Sequence, residues 1–423
     1  MKDNEITKDK TILCIDNGMY VGLCRTMSRY FKKVLYYTEY KLPFPDITKF
    51  MIGYGFDEME RVVDLYDAIQ EADIIYFPDV YYGDLQEYIF KSGKRTFGSM
   101  RGEELETYRT DTKRLLKKLG KPVGKYVVLT GMDALKDYLK KNDNKYIKTD
   151  VYRWNFETFH HKNYKSSEPF IIDLEHKLGC AKYIFKFIVE DAIEGDDIVE
   201  TGSDFLNIDG KYSDFISFGY EIKCEMYAMQ FKESSKIPSI ITDVNKALSE
   251  TMKDYNYRGM GCTEIRVGKD KVPYLIDFTS RFGSPPCEIY QEAISNWGDI
   301  IWYGSEGILI QPKIEHKFGV QFFIVSEWAI KNQQCVYFPK EIDRWVKLRN
   351  TCKVNNNHYV IPTDTSLIGN VVAIGDSLEE CYKVATERAE QIEGYAIEIK
   401  TGDVDKMKDI IKKGEPLGIK FDE

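Results

Sequence analysis

Short apolar runs and helix-like segments alternate along the first hundred residues. The apolar runs occupy residues 11–16, 34–37 and 73–79, and apolar positions between the first two have helical spacing. Strands that alternate with helices are typical of a parallel sheet with helices on its faces. The turn at Asn17 and Gly18 falls beyond the carboxyl end of the first strand, where such sheets bind ligands, although a purely structural turn also fits it. The pattern predicts an N-terminal parallel-sheet domain.

The pattern between residues 100 and 260 is mixed. Helices are predicted over residues 105–120, 132–139 and 243–255, and short strands over residues 126–129, 146–148 and 185–190. The stretch 151–167 is polar and aromatic with few periodic apolar positions, so it predicts a loop. Further strands are predicted at 320–325 and 371–373. A C-terminal amphipathic helix begins with a capping box at Ser377.

Two apolar strands at residues 257–267 and 274–283, joined by a polar turn, form the most informative pattern. Because side chains alternate across a strand, polar residues share one face of each: Glu264 and Arg266 on the first, and Asp277, Thr279 and Arg281 on the second. If the strands pair, these side chains converge. Carboxylates suit a hard cation such as Mg²⁺, and an arginine suits charge that develops in phosphoryl transfer. A solvated hairpin face with a surface ion pair is the alternative.

Composition narrows the class of protein. At 423 residues the chain is long enough for two to four domains. A net charge of −9 without a long basic block argues against a nucleic-acid surface. The nine cysteines lack the spacing of a zinc site, which is typical of a reducing compartment. No signal peptide pattern or apolar run of ~20 residues is present, so we expect a cytoplasmic protein that binds neither membrane nor nucleic acid.

The order of the motifs resembles the ATP-grasp superfamily of carboxylate–amine ligases, and is most similar to phosphoribosylamine–glycine ligase. The resemblance is carried in chain order by residues 97–99 with Leu105, Glu106, Arg109 and Lys113, by the acidic segment 187–195, by 277–285, and by 369–373 with the capped helix. Residues 258–261 before Glu264 are closer to D-alanine–D-alanine ligases. Arg109 and Lys148 also fit the alternative of plain surface cations, and Asp197 that of a solvated turn carboxylate.

The resemblance implies an α/β and α+β multidomain ATP-grasp fold. Its expected domains are a Rossmann-like N-terminal domain at 1–100, a small lobe at 101–186, a large lobe with the metal site at 187–312, and a small C-terminal α/β domain at 313–423. It implies a monomer or homodimer. The implied reaction joins a small-molecule carboxylate to an amine through an acyl phosphate, with ATP and Mg²⁺ or Mn²⁺ as cofactors.

Residue roles follow from the same resemblance. The implied ATP contacts are Arg109, Lys148, Glu190, the Ile193 backbone and Asp197. The implied metal ligands are Glu264, Asp277 and Thr279, and the catalytic cations are Arg281 and Lys148. Thr279 stands where relatives have asparagine, which puts a second metal in doubt.

The glycine-rich phosphate loop of the family is replaced by residues 153–160, which contain no glycine. Arg153, Thr158 or His160 would supply side-chain contacts instead. The N-terminal phosphate loop is also altered. Two alternatives therefore stay open: a true phosphoribosylamine–glycine ligase, and a non-catalytic ATP-binding protein of the same fold.

Overall fold

The computed structural model describes residues 5–39, 47–151, 158–193, 195, 198–268, 270–363 and 365–422. Arg153 and Asp197, to which the sequence assigned a phosphate and a ribose contact, lie outside the described residues. Within those ranges, no helix combines the length and apolarity needed to cross a membrane.

The N-terminal part is a five-stranded parallel sheet with helices around it. Its elements are β1 (Thr11–Ile15), α1 (Val21–Thr26), β2 (Lys33–Tyr37), α2 (Ile47–Phe50), β3 (Glu60–Arg61), α3 (Leu65–Glu71), β4 (Ile74–Tyr76), α4 (Gly83–Lys91) and β5 (Arg95–Phe97). The strand order is β3-β2-β1-β4-β5, with every pair parallel. β1 is buried because apolar residues cover both faces, as a sheet between helix layers requires. The predicted parallel sheet is confirmed.

A four-stranded antiparallel sheet follows. This region contains α5 (Glu104–Thr107), α6 (Arg109–Lys118), β6 (Tyr126–Thr130), α7 (Met132–Leu139), β7 (Lys145–Thr149), β8 (Thr158–His161), α8 (Tyr164–Leu178) and β9 (Lys186–Asp191). The strand order is β6-β9-β7-β8. The single helix predicted over 105–120 is wrong, because the chain breaks at Tyr108. Tyr108 forms a β-bridge with Val151, and the Arg109 backbone N–H donates to the Asp150 carbonyl at 3.1 Å.

The loop predicted over 151–167 is also wrong for its second half, which contains β8 and the start of α8. The helix buries Ile171, Leu174 and Leu178 on one face. Phe159 on β8 stacks on Phe170, with ring centroids 4.1 Å apart. The polar residues of this stretch hid its apolar period, because the buried positions of α8 begin only after residue 166.

The rest of the chain forms a ten-stranded sheet, a three-stranded sheet and six helices among the described residues. The elements are β10 (Val199–Ile208), β11 (Lys211–Tyr212), β12 (Phe215–Ile222), β13 (Met226–Glu233), α9 (Ser239–Ala247), α10 (Ser249–Asp254), β14 (Arg258–Val267), β15 (Pro273–Thr279), α11 (Cys287–Ala293), α12 (Trp297–Gly304), β16 (Phe318–Val325), β17 (Gln334–Val336), β18 (Val346–Leu348), β19 (Thr351–Val354), β20 (Asn357–Val360), β21 (Leu367–Gly375), α13 (Leu378–Ala389), β22 (Glu398–Lys400) and α14 (Val404–Gly414). The helix predicted over 243–255 is two helices, α9 and α10, which meet at Leu248.

The main path of the large sheet is β15-β14-β10-β12-β13-β16-β21-β18. Strand pairing continues across the expected boundary at 312/313, because β13 pairs with β16 from Met226↔Phe322 to Gln230↔Phe318. β9 pairs within the four-stranded sheet, beside the expected boundary at 186/187. The division into domains stays an expectation.

Two local predictions are confirmed at residue level. The hairpin β14–β15 pairs Glu264 directly with Asp277 and Cys262 with Thr279. The capping box starts α13, because the Ser377 hydroxyl accepts a hydrogen bond from the Glu380 backbone N–H at 3.2 Å.

Candidate functional site

A cleft of about 780 Å³ lies between the four-stranded sheet and the face of the large sheet. Each part of the chain contributes to its lining. Met19 comes from the N-terminal part, Lys148 and Glu190 from the four-stranded sheet, and Arg349 from the C-terminal third. A cleft of this size accommodates a nucleotide with additional space.

Lysines surround the carboxylate of Glu190 at one end of the cleft. Lys113 on α6 forms an ion pair with its Oε1, and the Nζ of Lys148 lies 3.7 Å from its Oε2. Lys148 also donates a hydrogen bond to the Ile276 carbonyl of β15. Because Lys148 and Ile276 belong to different sheets, this bond ties β7 to the edge of the large sheet. Lys148 therefore stands where the two sheets enclose the cleft.

Arg109 lies beside this group but is directed away from the main cleft. Its Nη1 donates to the Thr149 carbonyl at 2.9 Å and to the Thr149 hydroxyl at 3.2 Å. It lines a small cavity of about 30 Å³ that Lys148 and Glu190 also line. The phosphate contact of Arg109 stays a prediction. Lys113, one helical turn later, lines the same small cavity and pairs with the Glu190 carboxylate.

Glu264 and Asp277 form a carboxylate pair on the floor of the cleft. They are directly opposed residues of β14 and β15, so their side chains project from the same face. Burial raises the pKa of Glu264 to about 7, and the charges of Asp277, Glu200 and Glu221 add to the shift against the opposing effect of Lys223. The pair therefore carries negative charge that the protein compensates incompletely. Two carboxylates with a nearby hydroxyl fit a hard divalent cation.

Thr279 lines the same cleft one row further along the hairpin. Its side chain is buried and lies opposite Cys262. In the described ranges no three His, Cys, Asp or Glu side chains converge as a metal site. The candidate donor set consists of the two carboxylates and the Thr279 hydroxyl.

Arg281 lies beyond the carboxylate pair of Glu264 and Asp277, and three side chains contact its guanidinium. Its Nε lies 3.1 Å from Glu106 Oε1 and 3.5 Å from Asp79 Oδ1. Its Nη1 donates to the Tyr20 hydroxyl at 2.6 Å. Burial opposes charge on this guanidinium, but Glu106, Tyr20 and Asp79 hold its pKa well above its ordinary value. Arg281 is therefore a permanently charged, oriented cation.

The remaining predicted residues are placed as follows. Ile193 lines the cleft, and its backbone carbonyl accepts a hydrogen bond from the Arg266 Nη1 at 3.4 Å. Thr158 lines the cleft, opposite Lys148 in the β7–β8 ladder. His160 is absent from the lining among the described residues. Its ring stacks on Tyr146, with centroids 4.4 Å apart, and its Nε2 lies 2.8 Å from Asn144 Oδ1.

Six residues of the site had no individual role predicted from the sequence, although Glu106 and Lys113 belong to a motif that carries the resemblance. The six residues are Lys113, Glu106, Tyr20, Glu221, Lys223 and Arg349. Lys113 had a signal, because it follows Arg109 by four positions and so shares its helix face. The Arg349 side chain bonds the Ser284 hydroxyl from 65 positions away, and no local pattern marks such a contact.

Comparison with known proteins found no matching family model and no matching curated protein sequence. Solved structures do match. Phosphoribosylamine–glycine ligase from Thermotoga maritima has a TM-score of 0.69 at 14% identity, over 92% of this chain and 98% of that chain. The biotin carboxylase domain of 2-oxoglutarate carboxylase from Hydrogenobacter thermophilus, a complex with MgADP, ADP and bicarbonate, has a TM-score of 0.67 at 11% identity, over 98% and 99%.

L-amino acid ligase from Bacillus licheniformis has a TM-score of 0.59 at 15% identity, over 92% of this chain and 99% of that chain. Likeness at such low identity concerns the fold. The chain has the ATP-grasp fold along nearly its whole length, as the order of motifs predicted.

Proposed function

We propose that the protein is an ATP- and Mg²⁺-dependent ligase that joins a carboxylate to an amine. The observation that carries the proposal is the order of side chains along one cleft: Lys148, then the pair Glu264 and Asp277, then Arg281. The cleft thus presents a lysine that could bind phosphate, then oxygen atoms that could bind a metal ion, and then the fixed guanidinium of Arg281. A solvated hairpin face would not require this convergence.

The residues would divide the work as follows. Lys148 would hold the ATP phosphates, with Lys113 and Glu190 fixing its surroundings. Glu264, Asp277 and Thr279 would hold Mg²⁺, which supplies neutralisation of charge on the transferring phosphoryl group. Arg281 would stabilise negative charge on the acyl phosphate and on the tetrahedral intermediate.

The reaction balances without a protein nucleophile. A carboxylate oxygen of the acid forms a bond to the γ-phosphorus, and the bond from that phosphorus to ADP breaks. The amine nitrogen then forms a bond to the acyl carbon, the carbon–oxygen bond to phosphate breaks, and phosphate leaves with the proton released from nitrogen. Catalysis of this kind depends on orientation and charge, which the fixed cations of the cleft supply.

The N-terminal sheet edge argues for a general ligase rather than a phosphoribosylamine–glycine ligase. Asp16 and Asp79 follow β1 and β4, and residues 15–20 and 77–82 contain no lysine or arginine. Arg281 also reaches this edge, but there its Nε already pairs with Asp79 and Glu106, while the residue lines the cleft. Two carboxylates without a free cation disfavour a sugar phosphate there.

Two measurements test the proposal. Calorimetry should show MgATP binding, and pools of acids and amines should be screened in pairs for phosphate release from ATP. We expect release that needs Mg²⁺ and both members of a pair. Binding of MgATP without pair-dependent release would favour the non-catalytic alternative.

A further inference from the structure

A side pocket of about 220 Å³ opens from the cleft beside the carboxylate pair. It shares with the cleft the residues Glu200, Glu221, Lys223, Cys262, Glu264 and Pro285. At about 30 Å³ for each water, this volume corresponds to about seven water molecules. The pocket can therefore hold a small organic molecule while the main cleft holds the nucleotide.

Gly202 makes the floor of the side pocket, whereas the neighbouring Gly219 is covered by Tyr227, with whose hydroxyl a Cβ at Gly219 would clash. Gly202 on β10 lies opposite Gly219 on β12, and Gly202 also lies opposite Glu264 on β14. Because Glu264 is opposite Asp277, one row across four strands carries two carboxylates and then two glycines. The space above Gly202 is thus continuous with the carboxylate pair.

Backbone conformation does not explain the glycine at 202. Its φ is not positive, and a Cβ at this position would meet no atom closer than the Cys262 Sγ at 3.6 Å. A side chain would therefore be tolerated by the strand but would occupy the pocket. The missing side chain leaves room for a ligand.

The charges around the side pocket favour a cation. Among its described lining residues, Glu200, Glu221 and Glu264 outnumber Lys223 and Lys413 by three to two. Glu200 pairs with Arg266, which borders the pocket from the cleft, and Glu221 pairs with Lys223, so the excess of carboxylates rests on Glu264. MgATP itself carries net negative charge, so its binding would not reverse this preference. The opposite end of the cleft has Arg281 and Arg349 and favours an anion.

We propose that the side pocket binds the amine substrate, a small primary amine that arrives as an ammonium ion. Its nitrogen faces the Glu264 side, and its body lies over Gly202. One proton passes from the ammonium to solvent in the open pocket before the neutral nitrogen attacks. The acid substrate then occupies the end of the cleft that Arg281 borders. This inference rests on the ligase function proposed above. The glycine floor sets the size of amine that the protein accepts.

Charge preference can be tested without knowing the amine. Gly202→Cys is made in a background in which the pocket-lining Cys262 and the accessible Cys180, Cys224 and Cys335 are changed to serine. The introduced thiolate attacks a methanethiosulfonate reagent, a disulfide forms and methanesulfinate leaves. The rate of reaction with the introduced thiol is measured for the aminoethyl reagent, a cation, and for the sulfonatoethyl reagent, an anion. Each rate is divided by the rate of the same reagent with free 2-mercaptoethanol, which removes the difference in intrinsic reactivity. We expect the normalised cation rate to be about tenfold higher or more, as ~1.4 kcal/mol of electrostatic preference gives.

The glycine floor is tested by kinetics once an active pair is known. Gly202→Ala should raise the KM of the amine by about tenfold, with kcat, the KM of the acid and the Kd of MgATP nearly unchanged. Gly259→Ala is the control, since its Cβ would meet only Gly98 backbone atoms at 3.7 Å or more. Equal normalised rates for the two reagents, or an unchanged amine KM, would overturn the amine site. A cation preference without phosphate release for any pair would instead overturn the ligase function.

Discussion

The Nε of Arg281 lies 3.1 Å from Oε1 of Glu106, a carboxylate whose side chain is fully buried. The second oxygen, Oε2, accepts a hydrogen bond from the Ser280 backbone N–H at 2.7 Å. The Glu106 side chain therefore bonds both the backbone at the end of the β14–β15 hairpin and the Arg281 guanidinium beyond it. Since α5 carries Glu106 and Arg281 lies two residues beyond the end of β15, the contact also joins two parts of the chain. Glu106 is a positioning residue for Arg281.

Glu106→Gln should lower kcat by about 100-fold while the Kd of MgATP changes little, because Arg281 loses its orientation but remains charged. The free energy of unfolding should fall by about 3 kcal/mol, since a buried guanidinium loses a charged partner. Steady-state kinetics and urea denaturation measure the two effects. Glu104→Gln is the matched control, because the Glu104 pair with Arg101 is exposed and should contribute below ~0.5 kcal/mol. A variant with reduced stability and unchanged kcat would reduce Glu106 to a structural role.

The Glu106 contact shows which parts of the site the sequence could predict. Strand alternation was enough to place Glu264 beside Asp277, because both belong to one hairpin and the pairing is local. The partner of Arg281 lies 175 positions away, and no periodicity marks it. The break at Tyr108 has the same cause, since its β-bridge to Val151 overrides helix propensity. Local pattern thus predicted elements and their faces, whereas tertiary contacts decided helix ends and the side-chain partners.

Asp277→Asn should lower the rate of phosphate release by about 1,000-fold, because the metal loses a charged ligand where phosphoryl charge develops. The fold should persist, since asparagine keeps the shape of the side chain and can still accept from the Phe278 N–H, now 3.0 Å away. Release should be followed across a Mg²⁺ titration. Asp270→Asn, in the turn of the same hairpin, should behave as wild type. Wild-type turnover in Asp277→Asn would remove the metal assignment.

Lys148→Met should weaken MgATP binding by about 10- to 100-fold, as loss of one charge-assisted contact to phosphate predicts. Methionine keeps most of the apolar stem, so packing of β7 should survive. Isothermal titration calorimetry gives the affinity, and circular dichroism checks the fold. The control is Lys186→Met, an exposed lysine on β9 of the same sheet. If both variants bind MgATP like wild type, Lys148 does not contact the phosphates.

Stability should depend on pH through Asp16. Burial raises the pKa of this carboxyl to about 7, and the nearby Asp79 adds to the shift. In the unfolded chain it titrates near pH ~4, so between these values the folded protein holds a proton that the unfolded chain has released. This contribution to stability is complete below pH ~4 and is lost as the pH rises to about 7.

Between pH 5 and 7, the free energy of unfolding of Asp16→Asn should therefore fall by on the order of 2 kcal/mol less than that of wild type. Urea denaturation at several pH values measures the slopes. Asp9→Asn is the control, because the Asp9 side chain is 73% exposed. Parallel slopes for wild type and Asp16→Asn would show that Asp16 is already ionised at pH 5.

Thr279 should limit the number of metal ions in the ATP complex. The threonine side chain reaches less far than an asparagine side chain would, and its buried position opposite Cys262 leaves little freedom to approach a second ion. We expect wild type with ATP to bind one Mn²⁺ tightly and Thr279→Asn to bind a second ion about tenfold more tightly than wild type does, since one added oxygen ligand is worth ~1.4 kcal/mol. Electron paramagnetic resonance of free Mn²⁺ counts the bound ions. Thr279→Ser, which keeps the hydroxyl, should match wild type; two tight ions in wild type would show that the threonine hydroxyl suffices.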